Sequence, residues 1–317
     1  MYLIDALDII KEYEGHRALN GVSVQIPENC IYGILGPNGA GKTTFLKNFA
    51  RQFAGRRLRL IINDITVPDS GSVLFDNHLL NAEDVKHIGY LPEERGLYKK
   101  MKVGEHIVYL AQLKGVSRNE AKRRMKKWIT RFEIDRWEKY RIEELSKGMQ
   151  QKIQFITTVI HEPRLLIFDE PFSGFDPINT ELLKREILEL KKGGATIIFS
   201  THNMSSVEEL CDEITLINRS QVVLQGEVLK IREQYKKDLF RIKISSGKFP
   251  SSDNHYIVIS EKEAFNGTEI LLKKTDDIPI NDLIVQLAER FSLTAFEEIL
   301  PSMNEIFIET VEREKTL

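Results

Sequence analysis

Ile31-Tyr32-Gly33-Ile34-Leu35-Gly36-Pro37-Asn38-Gly39-Ala40-Gly41-Lys42-Thr43-Thr44 reads as a short apolar strand, a glycine-rich turn and, from near Gly41, the start of a helix. Residues 36 to 43 fill every position of the pattern G-x-x-x-x-G-K-[ST]. Glycine at 36, 39 and 41 lets backbone N–H groups turn inward on an anion with no Cβ in the way. Lys42 is placed to reach β and γ phosphates, the Thr43 hydroxyl to ligate Mg²⁺, and the helix N-terminus to face the charge. A strand, a phosphate loop and a helix in that order point to an α/β fold on a parallel sheet.

The rest of the first 225 residues supports that sheet. Leu165-Leu166-Ile167-Phe168 and Ala195-Thr196-Ile197-Ile198-Phe199 are further apolar runs that end at polar residues, as buried parallel strands do. Asp169-Glu170 closes the first of them, at the strand end where α/β ligand sites form. Asp169 is expected to hold Mg²⁺ directly or through water, and Glu170 to polarise an attacking water. His202 follows the second run, in Phe199-Ser200-Thr201-His202, and can offer an imidazole donor to a transition-state oxygen. Between the strands, Ala121, Met125, Trp128, Ile129 and Phe132 recur at helical spacing with Lys and Arg opposite.

Beyond about Arg219 the pattern becomes β-leaning, with Phe240-Arg241-Ile242-Lys243-Ile244 and His255-Tyr256-Ile257-Val258-Ile259. A helix is expected over Asn281 to Phe291, capped by Asn281, with Leu283, Ile284, Leu287, Ala288 and Phe291 on one face. Ser245 to Asp253 reads as a loop from its turn residues. The expected division is a domain over 1–225, with a helical part near 94–160, and a small α+β domain over 226–317. No internal repeat or long heptad run appears.

Bulk composition excludes several classes. Forty-five Lys and Arg against 47 Asp and Glu leave a net charge of −2, so no global field draws the chain to nucleic acid or anionic lipid. Cys30 and Cys211 each lie in an apolar stretch, which suits buried thiols in a reducing, cytoplasmic compartment. The start, Met1-Tyr2-Leu3-Ile4-Asp5-Ala6, does not read as a signal peptide, and no run of roughly 18 apolar residues exists to span a bilayer. Any membrane spanning is expected from another chain.

A second phosphate turn, Leu145-Ser146-Lys147-Gly148-Met149-Gln150, has no second P-loop beside it in the sequence. Ser146 can cap a helix and Gly148 can expose its N–H, so one chain holds two unlike half-sites. Two chains facing each other would complete two whole sites. Together these segments resemble the ATP-binding cassette (ABC) family over residues 1 to about 225, with Leu145 to Met149 similar to its signature. The resemblance implies a RecA-like core with an antiparallel β subdomain and a helical subdomain, binding ATP and Mg²⁺. It implies phosphate contacts from Gly36, Pro37, Asn38, Gly39, Ala40, Gly41, Lys42, Thr43 and Thr44, with Ser146 and Gly148 reaching the γ phosphate of the other subunit. Tyr13 is similar in position to the aromatic that stacks on adenine, a core role being the competing reading, and Ser173-Gly174-Phe175-Asp176 is similar to the loop that crosses between subunits.

Three positions depart from that pattern. Glu93, in Gly89 to Tyr98, stands where the family's lever loop has glutamine, and a carboxylate can still ligate Mg²⁺ while repelling phosphate oxygens. Lys147 and Met149 replace the signature's usual Gly and Gln. A surplus near Asn48 to Leu60 carries Arg51, Arg56, Arg57 and Arg59, readable as a basic patch or as a solvated insertion. Within the family, Leu91 to Tyr98 and the ending Pro301 to Ile308 resemble ABC-2 type exporter ATPases, especially sodium- and drug-extruding ones. The expectation is therefore a homodimeric ATPase, with Lys42, Glu170 and His202 as catalytic residues and Thr43, Glu93 and Asp169 as metal ligands. It would sit on the inner face of the cell membrane through a permease of an ABC-2 type exporter, with no nucleic-acid partner. The competing classes are a soluble ribosome- or DNA-associated ABC ATPase and a catalytically weak regulatory cassette.

Overall fold

The computed structural model describes residues 1–13, 15–46, 68–79, 81, 83–93, 96–245, 249–250, 252–275 and 278–313. The surplus near Asn48 to Leu60 lies outside them. The chain forms two compact units, Met1–Glu227 and Val228–Leu317.

In the first unit an antiparallel sheet has the order β2-β1-β4-β5, from β1 (Tyr2–Tyr13), β2 (His16–Pro27), β4 (Ser70–Phe75) and β5 (His78–Leu79). A six-stranded sheet has the order β10-β9-β3-β8-β7-β6. It is built from β3 (Ile31–Leu35), β6 (Ile88–Leu91), β7 (Leu165–Asp169), β8 (Thr196–Thr201), β9 (Glu213–Asn218) and β10 (Gln221–Glu227). Its pairings are parallel except β9 with β10. Helix α1 is described over residues 42–46, and α2 (Val103–Leu113), α3 (Arg118–Arg131), α4 (Lys147–Val159), α5 (Pro177–Lys192) and α6 (Met204–Leu210) follow.

The continuous apolar runs are explained by burial on both faces. Because side chains alternate along a strand, Ile167, Ile198, Tyr32 and Ile34 enter a core shared with β1 and β2. Leu166, Phe168, Ile197 and Phe199 enter the core shared with α2, α3 and α4. Each such side chain, once buried, stabilises the fold by about 1.5–3 kcal/mol. In α3, Ala121, Met125 and Ile129 are buried, while Trp128 is only partly so. Helix starts are fixed locally: Ser146, Asp176 and Asn203 cap α4, α5 and α6 by accepting from the N–H three residues on.

Register brings the ligand-bearing ends level. Leu35 is opposite Thr201, Asp169 opposite Ser200 and Leu91 opposite Phe168. The C-terminal ends of β3, β8, β7 and β6 therefore share one edge, and the turns that leave them carry Gly36 to Lys42, His202, Glu170 and Glu93.

Among the described residues the second unit is an antiparallel sheet of order β12-β13-β14-β11-β15 with three helices. Its strands are β11 (Leu239–Ile244), β12 (Ser252–Asp253), β13 (Tyr256–Ala264), β14 (Gly267–Lys274) and β15 (Leu293–Ile299), and its helices are α7 (Val228–Gln234), α8 (Ile280–Arg290) and α9 (Met303–Arg313). Phe240, Ile242, Ile244, Ile270 and Leu272 meet Leu283 and Leu287 of α8 in its core. Three local expectations are corrected. Pro279, not Asn281, is the α8 N-cap, with no side-chain bond and with φ −60° and ψ 145°, because proline's fixed φ suits both a polyproline-like approach and entry into the first turn. Ala288 is exposed, since the helix turns only a narrow stripe of Leu283 and Leu287 inward. Within the expected 245–253 loop, Ser252 and Asp253 pair with β13.

Two histidines of the first unit are held neutral. His106 is fully buried on α2 and its Nε2 accepts from the Tyr98 N–H at 3.3 Å; burial pushes its pKa down to about 4. Burial, and then the Lys114 charge, push His161 down to about 3. Below about pH 6.5 the unfolded chain binds protons that the fold refuses, so stability is complete above that pH and declines as pH falls toward the folded values. The slope should reach about 1.4 kcal/mol per pH unit for each histidine. Thermal melts from pH 7.5 to 5 should show this decline, and His106→Gln, which keeps an acceptor for Tyr98, should flatten it; an equal slope in the variant would contradict it.

Candidate active site

At that edge lies a cleft of about 510 Å³ lined by Tyr13, His16, Ala18, Asn38, Gly39, Gly41, Lys42, Thr43, Thr44, Glu93, Glu170, Ser173 and His202. The turn after β3 is shaped by its glycines. Gly36 has φ +151° and a Cβ there would sit 2.2 Å from the Ile217 carbonyl oxygen; Gly41 has φ +106° and would place one 2.3 Å from the Ala18 oxygen. No side chain fits either place, so the loop lies directly on β9 and β2.

Lys42 is 7% exposed and its Nζ donates to the carbonyls of Gly36 and Pro37, at 2.8 and 3.1 Å. Burial lowers its pKa, opposed by the carboxylates of Glu170, Asp169 and Glu93. The ammonium is thus held within the concavity of the loop, facing a cluster of acids. Ala40 does not line the cleft; it is buried under the loop, and its N–H donates to the Pro37 carbonyl at 3.2 Å.

Asp169 is 1% exposed. Its Oδ1 accepts from the Ser200 hydroxyl at 2.5 Å and the Thr43 hydroxyl at 3.3 Å, while Oδ2 is buried with no protein partner. Burial raises the carboxyl above its usual range, opposed by the Ser200 bond and reinforced by Glu93. A buried oxygen atom with no partner costs roughly 1–3 kcal/mol unless something satisfies it, and a divalent cation beside Thr43 would. Among the described residues no cluster of three or more His, Cys, Asp or Glu could hold a metal by itself. One buried carboxylate and one hydroxyl fit Mg²⁺, which keeps waters and takes further oxygens from phosphate.

Glu170 has φ +50°, a left-handed conformation that costs a non-glycine residue about 1–3 kcal/mol. It is held there because its N–H donates to both the carbonyl and the hydroxyl of Ser200, each at 3.2 Å. Its Oε1 lies 2.9 Å from His202 Nδ1, with the carboxylate mostly covered and the imidazole largely exposed. Tyr13 is 38% exposed, and its ring faces the Lys11 ammonium at 5.3 Å.

The fold thus brings together most residues expected from the sequence, with Gly36, Pro37, Ala40 and Asp169 lying behind the lining. It does not bring Ser146 and Gly148: they stand at the start of α4, Ser146 exposed with its Oγ accepting from the Met149 N–H at 3.4 Å, and neither lines the cleft. A Cβ on Gly148 would meet nothing within 4 Å. Three contributors were not singled out beforehand. His16 and Ala18 arrive on β2 from a different sheet, and Ser200 organises both acids from within its strand; only the apolar-to-polar switch at Phe199-Ser200 hinted at the last.

Two family descriptions match the sequence: "ABC transporter" over residues 19–173 and "ATP-binding protein DrrA1-3-like, C-terminal domain" over residues 226–311. The chain is 39% identical over 303 residues to the uncharacterized ABC transporter ATP-binding protein YhaQ of Bacillus subtilis, covering 96% of each. It is 31% identical over 217 residues to the lantibiotic transport ATP-binding protein SrtF of Streptococcus pyogenes, covering 68% of this chain and 87% of that one. A solved structure of the ATP binding subunit of an ABC transporter superposes with a TM-score of 0.64 at 28% identity, covering 74% of this chain and 93% of that one.

Proposed function

The chain belongs to the ABC transporter family as an ATP-binding subunit, an ATPase that powers transport, and from that premise we propose that it works as a homodimer around two ATP molecules, driving an ABC-2 type exporter. The family works in general as a dimer with a membrane permease. Residues 1–225 are read as the cassette and 226–317 as an accessory domain.

The single observation that carries the reading is the split of the phosphate-binding residues. Lys42, Thr43, Glu93, Glu170 and His202 line one cleft, whereas Ser146 and Gly148, at the start of α4, are not part of its lining. An isolated chain therefore presents an open P-loop face and an unused signature, and a second copy related by two-fold symmetry satisfies both.

Within one such site Lys42 and the loop N–H groups bind the phosphates, and Tyr13 stacks on the base. Thr43 and Asp169 would hold Mg²⁺, with Glu93 of the cleft wall as a further oxygen ligand. Mg²⁺, when bound, neutralises charge on the β and γ phosphate oxygens. Glu170 orients water toward the γ phosphate and accepts its proton, and His202, kept in place by Glu170, donates to the oxygens that gain charge. Ser146 and the Gly148 N–H of the partner close the far side. Export is supported by the lantibiotic transport subunit among the relatives. No helix of the described residues is long and apolar enough to cross a membrane, so the pathway is assigned to the permease, which would hold this chain on the inner face of the membrane. Affinity capture of the full chain from its own membranes should recover a stoichiometric multi-span protein and raise ATP turnover; recovery of ribosomal or DNA-repair proteins instead would overturn the exporter assignment.

A further inference from the structure

Strand β6 is an edge of the central sheet, and its free side is covered by side chains from one stripe of α4. Gln154 Nε2 donates to the Pro92 carbonyl at 3.0 Å and His161 Nε2, just past the helix end, to the Ile88 carbonyl at 3.1 Å, while the Thr158 hydroxyl lies between them, shared between the Gln154 carbonyl of its own helix at 2.9 Å and the Tyr90 carbonyl at 3.4 Å. The spacing i, i+4, i+7 on the helix meets every second residue of the strand, which points its carbonyls to one side. Seven helical residues rise about 10.5 Å and four strand residues about 13 Å, so the two repeats stay matched for this length and no further. All three donors are nearly inaccessible, at 5, 6 and 8% exposure. Lys114 adds bonds to the carbonyls of Val85 and Ile88 at 2.9 Å each.

Covering an edge strand is reason enough for Thr158 and His161, since unpaired strand edges are a liability. Gln154 differs in where it acts. Its acceptor lies beyond the strand, on the residue before Glu93. The peptide unit is planar, so fixing the Pro92 carbonyl also fixes the Glu93 nitrogen. Proline's ring fixes the torsion on the other side. The Glu93 Cα is thereby tied to α4, whose first turn is capped by Ser146 two helical turns away.

We propose that Gln154 is a positioning residue that couples the Glu93 loop to the signature end of α4, so that metal and phosphate contacts in one chain's cleft set the pose of Ser146 toward the partner's nucleotide. The coupling rests on the roles given above to Glu93 and Ser146. It predicts a loss of cooperation between the two half-sites with no loss of either.

The test uses the full chain in a Glu170→Gln background, where hydrolysis is blocked, and measures the dimer fraction against ATP concentration by sedimentation, with monomer affinity for a fluorescent ATP analogue. Gln154→Leu keeps the volume and removes the donor; it should raise the ATP concentration for half-maximal dimerisation about tenfold, the effect of losing one buried hydrogen bond, while monomer affinity changes less than about twofold. Thr158→Val removes the neighbouring rung and should lower the melting temperature without moving the dimerisation curve. Glu93→Ala should weaken dimerisation, and the Glu93→Ala/Gln154→Leu double variant should be no weaker than the worse single one, because both act through one loop. Gln154→Leu behaving like Thr158→Val, or an additive double variant, would overturn the coupling and leave the Glu93 role intact. A Glu93→Ala chain that dimerises normally would overturn the Glu93 role and the coupling with it.

Discussion

Glu170→Gln is expected to cut ATP turnover by about 10²- to 10⁴-fold, the usual contribution of a positioned base, and to leave an ATP-bound dimer that persists. The two effects have one cause. Glutamine keeps the length and can still accept from His202, whose Nδ1 lies 2.9 Å from Oε1, so the cleft should keep its shape. The backbone conformation also survives, since the bonds from the Glu170 N–H to Ser200 do not involve the side chain. What is lost is the ability to accept a proton from water. Nucleotide binding and closure proceed while reopening, which needs hydrolysis, does not. Single-turnover kinetics with sedimentation of the trapped species would check both; unchanged turnover would remove Glu170 from the role.

Ser146→Arg should abolish ATP-dependent dimerisation while monomer affinity for ATP stays within about twofold of the original. The side chain is exposed at the start of α4 and does not line its own chain's cleft. Losing the cap bond to the Met149 N–H costs the helix about 1 kcal/mol, too little to unfold a chain whose α4 buries Ile153, Phe155, Ile156 and Val159. The arginine stem would occupy the space through which a hydroxyl approaches the partner's phosphate. Ser146→Ala, which loses the cap without adding bulk, should weaken dimerisation and not abolish it. Loss of monomer binding by either variant would contradict the split of the site into two halves.

Residues with a local signature were legible in the sequence. The loop after β3 announces itself because glycine is demanded wherever a backbone carbonyl lies where a Cβ would be, as with Ile217 over Gly36 and Ala18 over Gly41. Asp169 and His202 were legible because buried parallel strands end where their apolar runs end. Ser200 was not, because its function comes from strand register: it lies opposite Asp169, and no pattern along one strand encodes what its neighbour carries. His16 and Ala18 reach the cleft from the other sheet, and Gln154 finds Pro92 across 62 positions of sequence. The α8 start was misread because capping statistics favour Asn, whereas the cap lies two residues earlier at Pro279. Glu93 remains the most informative departure from the family pattern. It is an acid on the cleft wall that adds to the negative field raising Asp169, a field that a bound divalent cation would relieve.

Mixing two inactive variants tests the composite site most directly. A Lys42→Ala chain lacks a working P-loop and a Ser146→Arg chain lacks a working signature, so each alone should be inactive. In a mixed dimer the intact P-loop of one faces the intact signature of the other, giving one whole site. Because neither variant should pair with itself on ATP, only mixed dimers form, each with one good site of two, and equal amounts should restore turnover to at most about half of the original. No activity above that of the separate variants, or full activity in either variant alone, would contradict a site shared between two copies of this chain.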